Sequence, residues 1–347
     1  MKHGLLALVA SALSLVVPGA TSVPGAGTSP QQGITAADRV ARAYDLILDA
    51  NFDELKKALP NTCPPAPQVA CLGLDALSLW WQIQLDLENH TLDAPFMAAA
   101  DKGVAEAARF AQQSPERAEA WFYLGAAYGA RAQYRVYRTE RLAAARDGKR
   151  IKEALEQALA LDPSMHDAEF GIGMYRYYAG MAPAAFRFLR FLLLLPGGDR
   201  EGGLQQLERA AADGILVRGE AQYQIQILYL WYEHRAKDAL AIVKELQERY
   251  PHNPLFRKIE ADVLDAYFHD HAASMKASEQ LLALAESRAV FRADIAEVTA
   301  RLNIARQSIA LQQPERARSE LDALIARHPT APADAMTRAQ ALRASIK

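Results

Sequence analysis

The chain has 347 residues, is 51% hydrophobic and carries a formal net charge of −2. That length suffices for a large core or a long repeat array, and so balanced a charge argues against a general nucleic-acid binder, which carries a strong basic excess. Ala, Leu, Arg, Glu and Gln dominate, all good helix formers, and no alternating Val/Ile/Thr run predicts a strand.

Residues 1–22 read as a secretory signal peptide. Lys2 and His3 give a polar start, and Leu5 to Val17 form an apolar run of 13 residues, too short to span a bilayer. Small residues follow, as a cleavage site requires. A retained membrane anchor is the alternative. Residues 23–35 read as a flexible leader, and residues 36–347 as one folded domain. Export to the periplasm or beyond the cell is therefore expected.

Ala37 to Ala50 predict an amphipathic helix with Val40, Tyr44, Ile47 and Leu48 on one face. Asn51 opens a second helix, expected to stop at Pro60. A proline-rich loop with the two cysteines, Cys63 and Cys71, follows. An even, isolated pair in an exported chain reads as one disulfide, worth about 2–3 kcal/mol by chain entropy. A metal site is the alternative, but no histidine lies nearer than His90. Leu77–Leu87 and Pro95–Gln113 predict the next helical pair.

Ala118 to Pro163 is the most informative stretch. Trp121, Leu124, Gly125 and Tyr128 are spaced W-x2-L-G-x2-Y, and the stretch closes on Ala158-Leu159-Ala160-Leu161-Asp162-Pro163. These ends resemble those of a tetratricopeptide repeat, a helix–turn–helix unit of about 34 residues. Tyr128 and Ile151 are 23 positions apart, about 14 more than the family allows, or close to four helical turns. Two turns added to each helix would keep the faces matched, so one elongated, projecting hairpin is expected. Degenerate units follow at Asp167–Pro196 (with Gly173 in the small-residue slot), Glu220–Pro251, Pro254–Ser287 and Val298–Pro329. Asp334 is expected to N-cap a last helix. The resemblance implies an all-α solenoid of stacked antiparallel helix pairs.

Between two units, Asp199 suits the N-cap of a helix from Arg200 to Ala212, which Gly214 closes. This turn and Ala239–Pro254 resemble the inclusion-body-clearance family of tetratricopeptide proteins. That implies the helical-repeat fold and no chemistry.

No H-E-x-x-H, G-x-S-x-G or P-loop motif is present. No metal or cofactor is expected, and no catalysis. The Gly197-Gly198 and Gly202-Gly203 pairs read as an inter-helix turn. His269-Asp270-His271 reads as a surface turn, with metal binding as the sharper alternative. Arg131, Arg135 and Arg138 share a helical face, and Arg141 follows; from 131 to 152 there are eight basic residues and two acidic ones. This basic stripe is either a patch for acidic proteins or anionic headgroups, or a solvated, partly paired face. Phe186 to Leu195 is the most apolar stretch after the leader. It is either a buried helix with snorkelling arginines or an interfacial membrane contact.

The tetratricopeptide resemblance also implies a concave groove. Its repeat phase places Phe122, then Phe170, Met174, Tyr177 and Tyr178, then Gln224, Leu228, Trp231 and Tyr232 on that groove, or else in the inter-repeat core. The reading is an exported, non-catalytic scaffold binding a protein or peptide partner in the cell envelope. The alternative is a membrane-peripheral assembly factor that contacts lipid through 186–195 and the basic hairpin.

Overall fold

The computed structural model describes residues 33–181 and 197–346. All of them belong to one compact unit, Gln32–Lys347. The expected signal peptide, most of the expected leader and the 186–195 segment lie outside the described residues.

Fifteen helices and no strand occur among the described residues. They are α1 (Ala37–Leu48), α2 (Phe52–Thr62), α3 (Gln68–Leu85), α4 (Asp93–Gln113), α5 (Ala118–Tyr137), α6 (Arg141–Leu161) and α7 (His166–Gly180). After the undescribed segment come α8 (Arg200–Asp213), α9 (Arg218–Trp231), α10 (Ala236–Arg249), α11 (Pro254–Ala266), α12 (His271–Glu286), α13 (Ala293–Ala310), α14 (Pro314–Arg327) and α15 (Ala333–Ser345). Consecutive helices pack as antiparallel pairs, and pairs stack on their neighbours. The chain is a tetratricopeptide-like α-solenoid.

Small residues set how closely the pairs approach. A Cβ on Gly125 would lie 2.4 Å from the Leu155 side chain, so α5 and α6 are nearly in contact there. A Cβ on Gly173 would lie 2.8 Å from the Gly203 carbonyl oxygen, which locks α7 against α8. Caps start several helices: the side chains of Asp199, Asn253 and Asp270 accept from the N–H groups of Gly202, Leu255 and Ala273.

Three local expectations need correction. Helix α2 runs past Pro60 to Thr62. There the Thr62 hydroxyl donates to the Ala58 carbonyl and the Cys63 N–H to that of Leu59, so the last carbonyls are satisfied. Helix α3 begins at Gln68, so Cys71 lies on it rather than in a loop. Cys63 and Cys71 form the expected disulfide. Asp334 sits inside the first turn of α15, paired with Arg338, and Pro332 holds the N-cap position.

The hairpin α5–α6 is elongated as expected. Its helices have 20 and 21 residues, against 14 and 14 in α9–α10. The excess of six and seven residues is about two turns each. It does not project. The added turns pack on the equally long α3–α4 pair, of 18 and 21 residues. Trp80 stacks edge-on against Tyr134 and Tyr137, and Arg138 bonds to Asp93 and to the Leu87 carbonyl.

The solenoid also winds back on itself. Asp45 of α1 accepts from Tyr250 (2.7 Å) and Arg249 (3.1 Å), and Asn253 donates to the Leu48 carbonyl at 2.7 Å. Trp81 of α3 meets Tyr223 and Phe256, and Phe52 meets Phe291 edge-on at 4.8 Å. These contacts join residues about 140–240 positions apart and bring the first three helices against α9–α11. The leader's end is fixed too: Thr35 donates twice to Glu119, and Gly33 N–H to Asp162.

Two glycine substitutions should separate packing from helix propensity. Gly173→Ala must move backbone and should cost about 1–3 kcal/mol in urea denaturation. Gly129→Ala meets nothing within 4 Å and should be neutral or stabilise by up to about 1 kcal/mol.

Candidate functional site

The winding borders a half-open cavity of about 1140 Å³. That is at the upper end for small-molecule sites, roughly 300–1,000 Å³. Helix α5 forms one full side of it, from Phe122 and Tyr123 to Val136 and Tyr137. Helices α1, α3, α4, α6, α7 and α9 supply the remaining walls. The lining is predominantly apolar, and small where the walls are closest to the space. A Cβ on Gly73, Gly103 or Gly129 would meet nothing within 4 Å.

Glu220, in the first turn of α9, lines this cavity and is buried. Its carboxylate accepts from the Tyr44 hydroxyl (3.1 Å), the Trp81 indole N–H (3.2 Å) and the Gln224 amide (3.1 Å). Burial raises its pKa above the ordinary carboxylate value, against the donated bonds, which lower it. Nearby, Gln133 accepts from Trp80, and Gln84 accepts from Tyr223. Two lining groups lack a hydrogen-bond partner among the described residues: the Gln84 amide nitrogen and the Tyr123 hydroxyl. Asp167 is fully used, since its carboxylate accepts the N–H groups of Ile215, Leu216 and Val217 ahead of α9.

The structure divides the nine groove residues. Phe170, Met174, Tyr178, Trp231 and Tyr232 line the cavity and are half-buried or exposed, Trp231 at 64%. Tyr178 and Tyr232 make an edge-on pair. Phe122 and Gln224 line it as buried residues. Tyr177 and Leu228 are fully buried in the core between α7, α8 and α9 and do not line it. The repeat phase therefore brings seven of the nine to one space. It missed Tyr44, Gln84, Trp81 and Glu220, which join across the winding; no local signal marks them.

The basic stripe is mostly spent internally. Arg131 and Arg135 both bind the buried Asp147, at 2.7 and 2.6 Å, and Arg131 also binds Asp101. Arg138 binds Asp93. Arg141 is exposed at the cavity's edge and has no carboxylate partner among the described residues. This pairing was readable: positions 131 and 147 are equidistant from the turn at Thr139, so they face each other across the hairpin.

His269 takes a left-handed backbone conformation in the turn before α12. His271 contacts Gln307 and Asp265. No group of three His, Cys, Asp or Glu able to hold a metal occurs among the described residues.

The described residues thus form a helical-repeat framework around a large, mainly apolar cavity. No protein-family model matches the chain, and no curated protein does. A solved structure with similarity is the C-terminal part of a TPR repeat-containing protein from Cytophaga hutchinsonii. It is 13% identical with a TM-score of 0.41, covering 69% of this chain and 94% of that one.

Because the folded-state pKa of Glu220 is raised, the native state holds its proton to higher pH than the unfolded chain. Stability from this group is full below the unfolded pKa and falls as pH rises through the folded one. Denaturation of wild type against Glu220→Gln from pH 4 upward should show wild type losing stability with pH that the variant does not lose. Parallel pH profiles would place the carboxylate in an ordinary environment.

Proposed function

We propose that the protein is a non-catalytic, exported scaffold that holds a protein or peptide partner in the cell envelope. The observation that carries this reading is the exposed aromatic edge formed by Tyr178 of α7 with Trp231 and Tyr232 at the end of α9. Aromatic side chains give large contact area at low entropic cost and dominate interface energetics. A helix surface that leaves an indole 64% exposed beside a second ring has unspent contact area of this kind. Among the described residues, the two buried carboxylates of the cavity wall, Glu220 and Asp167, are held by neutral hydrogen-bond donors, which supports the non-catalytic part. The apolar leader and the bonded cysteine pair support export.

Affinity capture from an envelope fraction, using the processed protein, tests this. Wild type should retain a partner that Tyr178→Ala/Trp231→Ala loses by tenfold or more, on the order of a hot-spot truncation. Identical capture by both would remove the aromatic edge from the interface, and absence of the protein from that fraction would remove export.

A further inference from the structure

The aromatic edge of Tyr178, Trp231 and Tyr232 lines one part of the cavity, and the part along α5 has a chemistry of its own. It extends along α5 from Tyr123 to Tyr137, which is 14 residues or about 21 Å at 1.5 Å each. One leaflet of bilayer hydrocarbon is about 15 Å thick, so the space is long enough to take an acyl chain. Its floor is made of residues without bulk, with open space over Gly73, Gly103 and Gly129.

The two ends differ. At the C-terminal end of α5, Val136 and Leu142 are 66% and 59% exposed and flank the cavity. Arg141 stands between them in sequence, exposed and without a carboxylate partner among the described residues. Helix α3 runs alongside α5, Trp80 meeting Tyr134 and Tyr137. That places Gln84, one turn further on, near the same end. Its amide nitrogen is buried and has no acceptor. The carboxylates of the wall, Glu220 and Asp167, are already filled by donors. The unused polar groups at this end are thus donors: a guanidinium at the surface and an amide just inside.

An occupant complementary to this needs long apolar chains, neutral acceptor oxygens below its head, and an anionic head. We infer that the cavity binds an anionic diacyl phospholipid, with its acyl chains along α5, an ester carbonyl at the Gln84 amide, and its phosphate at Arg141. A peptide helix could offer such acceptors only through its C-terminal carbonyls, and it brings no anionic head linked to two long chains. The exposed Val136 and Leu142 would meet the membrane during loading, beside a cation that prefers anionic lipid. This goes beyond the partner reading and leaves the Trp231 edge free.

The test uses vesicles of phosphatidylglycerol carrying a fluorescent acyl-labelled phosphatidylglycerol, and matched phosphatidylcholine vesicles. After vesicles are removed, wild type should retain about one labelled phosphatidylglycerol per chain and less phosphatidylcholine. Gly129→Leu adds bulk where a Cβ meets nothing within 4 Å, so it should fold and retain less lipid than wild type. Arg141→Ala should cut phosphatidylglycerol retention about fivefold, and cut that of phosphatidylcholine less, because its choline already neutralises its phosphate. Retention by Gly129→Leu at the wild-type level would overturn the proposal. So would no retained lipid in wild type, preference for phosphatidylcholine, or retention of an apolar helical peptide in place of lipid. Partner capture through Trp231 should survive Gly129→Leu, so the two readings fail separately.

Discussion

A buried carboxylate ties the first helices of this solenoid to its ninth. Glu220 on α9 takes hydrogen bonds from Tyr44 on α1 and Trp81 on α3, residues 176 and 139 positions away. A stack of helix pairs needs only nearest-neighbour contacts to be stable. Here the third layer of contact, from the first helices to the ninth, turns the stack into a closed winding. The desolvation cost of one buried charge is offset only if every lone pair is used. Tyr44, Trp81 and Gln224 do that, so the carboxylate fixes which helices meet. Gly219 beside it has no room for a Cβ, which would lie 2.3 Å from the Tyr250 hydroxyl and 2.6 Å from Leu48.

The cavity follows from this closure. Repeats of unequal length cannot stack as a uniform ribbon. The long α3–α4 and α5–α6 pairs stand against shorter helices across the winding, and the space between is left to small and aromatic residues. The same arrangement accounts for the arginines. Arg131 and Arg135 hold the extended legs of the hairpin together through Asp147, and Arg138 ties it to α4. Arg141, past the turn, lies at the surface.

The sequence made local structure legible where one residue type has one physical use. Gly173 and Gly125 mark close helix approach, Asp199 a cap, and the two cysteines a crosslink. The 23-position gap between Tyr128 and Ile151 encoded the added turns. It did not tell whether they project, because that depends on α3–α4 having grown equally. Glu220 was hidden for a different reason. An acid in a first turn is ordinary helix-dipole chemistry, and its partners lie more than a hundred residues upstream. Periodicity carries face, not distance around a winding. Tyr177 and Leu228 were placed on the groove by repeat phase alone, and the tighter α7–α8–α9 contact buried them instead.

The central claim is that α1 and α9 are coupled through the Glu220 carboxylate. A double-mutant cycle on stability, combining Tyr44→Phe with Glu220→Gln, measures that coupling directly. The account predicts an interaction energy of about 1–3 kcal/mol, as expected for members of one hydrogen-bond network. Additivity within about 0.5 kcal/mol would contradict it, and the closed winding would then rest on packing alone.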